Sequence, residues 1–317
     1  MRELFLVEQK NVTRYADITV SQLQDTLETS TGLFWLDIEQ MTDEDAALLQ
    51  EFKEFRFHSL AIKECREPAG RSYLEEFPEY LFMMFSVQEE MEAEPTKVCV
   101  FLTPDYLVTV HATPLAFLQR VKDRIEQDYL MMRSPGYSMA LMLHGLVDQV
   151  EGVAAQLGMD MTVLGDEMEE GAGQEHLQTI GRHKRRVAVL RRALKAYSEA
   201  VHTLFSRSNA QMQPETLIQI RSVYHRLAGI GDALDFSYET LEEMRGTALA
   251  RMSQQVNASI GRLTSVAAVF LPVVAVAALL GINDRLVPGL DPLVTVGVGV
   301  FISIVVGGIV AVAARQR

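Results

Sequence analysis

Four acidic residues, Asp232, Asp235, Glu239 and Glu242, stand at steps of three, four and three in a stretch without a helix breaker. On a helix of about 3.6 residues per turn, that spacing gathers their carboxylates on one face. Carboxylates are hard oxygen ligands, so two such faces from neighbouring chains are suited to hold a divalent cation between them. The plainer alternative is a solvated stripe, partly neutralised by Arg226 and Arg245. A second group is Gly281-Ile282-Asn283, which ends a long apolar run. The glycine permits close backbone approach, and the asparagine offers an uncharged carbonyl. A ring of such carbonyls can hydrogen-bond a hydrated divalent ion without stripping its water, which small divalent ions give up reluctantly.

The elements that must position these groups begin with the apolar runs themselves. The chain has 317 residues and a formal net charge of −13, yet 48% of it is hydrophobic. The apolar residues concentrate near the end. Residues 263–283 form 21 positions without a formal charge, and residues 292–314 form another 23. About 20 such residues carry a helix across roughly 30 Å of hydrocarbon. These are expected as transmembrane helix 1 (263–283) and transmembrane helix 2 (292–314), joined by a short external turn (284–291). Arg245, Arg251 and Arg262 precede the first run and Arg315 and Arg317 follow the second, whereas the turn holds Arg285 between Asp284 and Asp291. The positive-inside asymmetry places the N-terminal part and the C-terminus in the cytoplasm, in a multi-pass protein of the cytoplasmic (inner) membrane in contact with lipid. The first ten residues, MRELFLVEQK, hold no apolar core of a signal peptide.

Residues 1–112 read as a cytoplasmic α/β domain. Strand patterns lie at Gly32–Ile38, Tyr80–Val87, Val98–Leu102 and Tyr106–His111, with a turn at Pro104-Asp105. Thr42 caps a helix with Asp45 at its third position. Residues 113–214 read as a helical hairpin region, with helical patterns from Pro114 to about Met132, Tyr137 to Glu170 and Gln174 to Arg207. Asp166, Glu167, Glu169 and Glu170 close the second of these, while Arg182, Lys184, Arg185, Arg186, Arg191, Arg192 and Lys195 load the third. The charges read as complementary solvated faces, with an acidic tip able to gather cations as the alternative. After Pro214 no break occurs before Pro272, so residues 215–262 form a long stalk helix. Continued to Leu280 it has 66 residues, roughly 100 Å at about 1.5 Å each. The fold class is an α+β cytoplasmic domain, a long helical stalk and two C-terminal transmembrane helices.

Other chemistry is excluded or weak. There is no P-loop, GxSxG or GxGxxG pattern, so the chain reads as no enzyme, with no cofactor bound for catalysis. Without a nucleotide site, movement of an ion must follow its gradient, as a channel or coupled to protons. The acidity speaks against nucleic acid as a partner. Cys65 and Cys99 are too few for a disulfide framework, and none of the seven histidines forms an HxxxH or HExxH pair. Two spans cannot enclose a pore, so transport requires several copies around an axis.

The chain resembles the CorA superfamily of divalent-cation transporters over most of its length. Phe57-His58-Ser59-Leu60-Ala61-Ile62-Lys63-Glu64-Cys65 looks like the family's F-H-P-L segment with its following acids, and Glu75-Glu76-Phe77-Pro78-Glu79-Tyr80-Leu81-Phe82 looks like its E-x-(Y/F)-x-x-Y-x-F stretch. Asn257, Leu263-Thr264, Phe270-Leu271-Pro272 and Gly281-Ile282-Asn283 follow the spacing of its first span. The resemblance implies a homopentamer with a CorA-like cytoplasmic funnel and an axial pore made by the first span. It implies a selectivity filter at Gly281, Ile282 and Asn283. The pore lining would be Asn257, Ile260, Leu263, Thr264, Leu271, Val274 and Ala278, with Ile260, Leu263 and Leu271 as a hydrophobic gate. The acidic stripe becomes the place where regulatory metal would hold the pore closed. Ile282 replaces the usual Met of G-M-N, as in the zinc-transporting branch. Val273-Val274 replace the usual Leu-Thr after the proline, and the turn lacks the acidic segment of magnesium members. The expected cargo is therefore a divalent metal ion, Zn2+ slightly ahead of Mg2+. The alternatives are a Mg2+ channel with a degenerate filter, or a non-conducting membrane-anchored regulatory or scaffold protein.

Overall fold

A computed structural model describes residues 1–68, 70–88, 95–206, 212–282, 297, 299–301, 304, 305 and 308. The chain divides into two compact units, one of residues 1–166 and 178–243 and the other of residues 167–177 and 244–317.

The first unit is built on a seven-stranded sheet. Its strands are β1 (Arg2–Glu8), β2 (Asn11–Ala16), β3 (Leu33–Glu39), β4 (Tyr73–Glu76), β5 (Leu81–Val87), β6 (Thr96–Leu102) and β7 (Tyr106–His111), in the order β2-β1-β3-β7-β6-β5-β4. Neighbours are antiparallel except β3 and β7, which run parallel with Trp35 opposite Leu107 and Asp37 opposite Thr109. The expected strands appear as β3, β5, β6 and β7. The turn at Pro104-Asp105 is fixed by Thr103, whose Oγ1 accepts from the backbone N–H of Asp105 at 3.3 Å and of Tyr106 at 2.9 Å. The β1–β2 hairpin had no sequence signal. Its two turn residues, Gln9 and Lys10, have φ of 47° and 69° without a glycine, where Asn-Gly usually marks such a turn.

One face of the sheet carries α1 (Val20–Thr29), α2 (Asp43–Glu51) and α3 (Ser59–Arg66). Leu36, Ile38, Phe82, Phe101 and Val108 from the strands are buried there with Leu23, Leu49, Phe55, Phe57 and Ile62. The α2 cap is as the spacing predicted: Thr42 Oγ1 accepts from Asp45 N–H at 3.3 Å, and Asp45 Oδ2 accepts from Thr42 N–H at 2.7 Å. Burial pushes the Asp45 carboxyl up, but hydrogen bonds from Arg2 and Thr42 outweigh it and hold it below the usual carboxylate range.

The other face carries α4 (Ala116–Gln127), whose helical stretch ends in a 3-10 turn at Tyr129–Met132. Here the strands present charge. Lys122 of α4 reaches Glu3 Oε2 at 2.7 Å and also pairs with Asp37. Arg14 Nη2 donates to Glu3 Oε1 at 2.7 Å, and Trp35 Nε1 donates to Thr109 Oγ1 at 2.9 Å, which in turn donates to Asp37. Glu3, Asp37, Lys122 and His111 are each no more than 7% exposed. His111 Nδ1 lies 2.7 Å from the Thr113 carbonyl and Nε2 lies 3.1 Å from Asp37 Oδ2. Both partners are acceptors, so both ring nitrogens donate and the ring is an imidazolium. Burial pushes the His111 ring down, but the bond to Asp37 outweighs it and the net shift is upward. Burial opposes ionisation of Asp37 and Glu3 too, and their cationic partners hold both below the ordinary range.

The long helices are α5 (Pro135–Glu170), α6 (Gln174–Ser206) and α7 (Pro214–Ile282). Pro135 starts α5, where its missing N–H costs nothing, and Ser134 Oγ accepts from Tyr137 N–H at 3.2 Å. Within the first unit, Arg226 of α7 donates to Asp148 at 2.7 Å and Glu151 at 2.5 Å on α5. The Tyr197 hydroxyl of α6 donates to the Ser86 carbonyl of β5.

Candidate functional site

The expected pore face falls on the last part of α7, in the second unit. Residues 253–264 are exposed at every position, Asn257 and Thr264 included. Ile260 is 55% exposed, Leu263 71%, Leu271 68% and Val274 63%, but Val256, Val266 and Phe270 on other faces also exceed half. Apolar side chains left open in this number call for a non-aqueous neighbour, and the other described residues of the chain supply none. Pro272 sits inside α7 without ending it, as helices surrounded by other helices or lipid tolerate. Gly281 and Ile282 form the last turn of α7. The side chains of Ala278, Gly281 and Ile282, all of Asn283 and the turn 284–291 lie outside the described residues. Seven described residues of 292–314 are helical. Among the described residues no helix is long and apolar enough to cross a membrane. The apolar runs continue through positions whose side chains are not among them.

The acidic stripe lies on the part of α7 within the first unit, and the structure divides it. Asp235 and Glu242, seven residues apart, turn towards α6: Arg191 Nε pairs with Asp235 at 2.7 Å, and Lys184 pairs with Glu242. Lys184 Nζ also stands 4.5 Å from the centre of the Tyr238 ring. The hydrogen bond to Glu242 holds the Lys184 ammonium above its ordinary range. Asp232 and Glu239, also seven apart, are exposed and have no cationic partner among the described residues. Between them Phe236 is 71% exposed. At 100° per residue the two pairs lie about 60° apart, enough to give them different neighbours. Lys184 and Arg191, from the basic run on α6, thus neutralise Asp235 and Glu242, while Arg226 pairs with α5. Among the described residues of one chain, no three His, Cys, Asp or Glu side chains come together as a metal site. His176 Nδ1 accepts from Gly173 N–H at 3.0 Å, and His183 is buried with Nδ1 unpartnered.

The chain thus joins a sheet with helices on both faces to a 69-residue helix whose last part is apolar. Residues 30–315 match the family model described as CorA-like Mg2+ transporter protein, and the chain belongs to that family. Its members are transporters of metal ions. The chain is 23% identical over 300 residues to the cobalt/magnesium transport protein CorA of Thermotoga maritima, covering 91% of this chain and 85% of that one. The complete CorA magnesium transporter structure from Methanocaldococcus jannaschii superposes with a TM-score of 0.79 at 14% identity, covering 100% of this chain and 96% of that one. The full-length CmaX protein gives 0.77 at 18% identity, covering 95% and 94%. The α+β domain and the long helix are therefore those of the CorA fold.

Proposed function

We propose that several copies of this chain, five by the family resemblance, surround an axial pore through the cytoplasmic membrane, and that a divalent metal ion passes along it. The observation that carries this reading is the exposure of Ile260, Leu263, Leu271 and Val274 in the single chain. Side chains of that kind need a non-aqueous neighbour, and a ring of copies with lipid outside supplies one on every face of the helix. The two apolar runs, 263–283 and 292–314, are the spans. Ile260, Leu263 and Leu271 form the gate, an apolar constriction that resists a hydrated ion until the helices part. Asn257 and Asn283 supply amides at the two ends of the passage, and Gly281-Ile282-Asn283 is the filter. Movement down the electrochemical gradient needs no catalytic cofactor.

Ile282 in the filter favours Zn2+ slightly. The magnesium in the descriptions of the family and of its relatives supports Mg2+ as the second reading. Regulation follows from the divided stripe. Asp232 and Glu239 face away from α6 and are the pair free to meet a neighbouring copy, where a shared cation would favour the closed state by mass action. The experiment is ion flux into vesicles holding the purified full-length protein. Entry of Zn2+ or Mg2+ well above that into empty vesicles is expected, and Asn283→Ala should reduce it at least about tenfold if the amide contributes the ~1.4 kcal/mol of a single hydrogen bond to the ion's water. Flux equal to that of empty vesicles for both ions would leave the scaffold reading. A dependence on a pH gradient would mark proton coupling.

A further inference from the structure

Two cysteines, Cys65 and Cys99, are the only ones in the chain, and the fold brings them together from separate elements. Lys97 Nζ donates to the carbonyls of Glu64 and Glu67, which pins the end of α3 onto β6. Cys99 lies two residues along β6 on the same face as Lys97 and faces the same helix end. Cys65, in the last turn of α3, packs against the apolar cluster that contains Cys99. Glu64 and Glu67 flank Cys65, so the same bonds lay Cys65 over the stretch of β6 that carries Cys99. The two thiols differ in access. Cys99 is 1% exposed. Cys65 is half-buried and lines a crevice of about 530 Å3 together with Gln40, Met41, Thr42, Arg66 and His111. That crevice opens at the carboxyl ends of the parallel strands β3 and β7. From there α2 departs to one face of the sheet and α4 to the other, the place where α/β sheets most often take a small ligand.

We propose that Cys65 and Cys99 form a thiol–disulfide exchange site for a low-molecular-weight peptide disulfide bearing carboxylates, of the chemical class of oxidised glutathione. The Cys65 thiolate attacks one sulfur of the small disulfide. A bond forms from Cys65 to that sulfur, the small disulfide's S–S bond breaks, and the first small thiolate leaves and takes up a proton. The Cys99 thiolate then attacks the Cys65 sulfur. The protein disulfide forms, the mixed disulfide breaks, and the second small thiol leaves protonated. Two cysteine thiols are oxidised and one small disulfide is reduced to two thiols, with the protons balanced. Arg66 stands beside Cys65 in the crevice wall, with its guanidinium partly exposed while bonded to Asp43 at 2.6 Å, and is placed to receive a ligand carboxylate. Burial, the neighbouring Cys99 and the Glu64 carboxylate hold the Cys65 thiol well above its ordinary range, and the Lys97 ammonium offsets this only in part. Since the thiolate is the nucleophile, the rate should climb as the pH rises above neutral.

The test uses the full-length protein in detergent, incubated with oxidised glutathione, alkylated, and read by intact mass and peptide mapping. The wild type is expected to lose two hydrogens and to yield a Cys65–Cys99 cross-linked peptide that dithiothreitol reverses. Cys99→Ser should stop at one glutathione adduct on Cys65. Cys65→Ser should remain unmodified, because Cys99 has no access. Cys99→Ala replaces Cys99→Ser if the serine variant does not fold. A wild type in which both thiols are alkylated when the protein is unfolded after prolonged exposure at pH 8.5 would overturn the proposal. So would equal adduct formation on Cys99 in Cys65→Ser.

Discussion

Two regions of this protein reverse the usual arrangement of charge and hydrocarbon. Between the sheet and α4, Glu3, Asp37, Lys122 and His111 are buried, with every charge answered by a partner from another element. On the last part of α7, Ile260, Leu263, Leu271 and Val274 lie open. The first arrangement is complete within one chain, because cations from α4 and β7 meet carboxylates from β1 and β3. The second is incomplete, because nothing in the described chain covers those side chains. A buried ionic cluster thus belongs to the self-sufficient region, and exposed hydrocarbon marks the region that the other described residues leave open.

Breaking the first region should have the largest effect. Lys122→Met leaves Glu3 and Asp37 short of a cation in a dry site, and should cost about 3–5 kcal/mol of stability in chemical denaturation. A loss under about 1 kcal/mol would mean that water reaches the cluster. Leu271→Asp attacks the second region. It should cost about 2.5–3.5 kcal/mol of membrane insertion and reduce the assembled species on size exclusion. Unchanged assembly would place the helix in water and remove the contrast between the regions.

The pH dependence sharpens the comparison because it belongs to the first region alone. Asp37 and Glu3 are held below their ordinary values of 3.8 and 4.5, so their contribution is full above those values and is lost as the pH falls below them. His111 is held above its ordinary value of 6.5, so its contribution is full below that value and is lost as the pH rises through the elevated one. Thermal unfolding of the sheet should therefore show a stability maximum with both flanks falling. In His111→Gln the alkaline flank attributable to the imidazolium should disappear. Trp35→Phe removes the donor to Thr109 and should cost about 1 kcal/mol. Asp235→Asn breaks an exposed pair with Arg191 and should change stability by less than about 1 kcal/mol. A larger loss would mean that this pair is covered in the assembled protein.

Much of the architecture could be read from the chain without coordinates. The strands β3, β5, β6 and β7 announced themselves by aromatic and branched runs, and α5, α6 and α7 by the distances between breakers. The edge strands β2 and β4 are short or polar, with the sequences NVTRYA and YLEE, and gave no pattern. The α1 helix carries a capping box, Thr19 with Gln22, in a stretch with few apolar residues to mark it. The buried cluster had one faint trace: Asp37 and Thr109 interrupt the apolar runs LFWLDIE and YLVTVH at inward positions.

What the sequence determined alone is what short-range periodicity encodes: which segments are helices or strands, where apolar length accumulates, and that four acids share roughly one side of α7. The fold decided which groups meet. Lys122 finds Glu3 across 119 residues, α6 claims Asp235 and Glu242 but leaves Asp232 and Glu239 outward, and α3 lays Cys65 over the strand that carries Cys99. Such pairings depend on strand order and on the angular position of each side chain about its helix, and neither quantity is contained in the spacing of residues along one element.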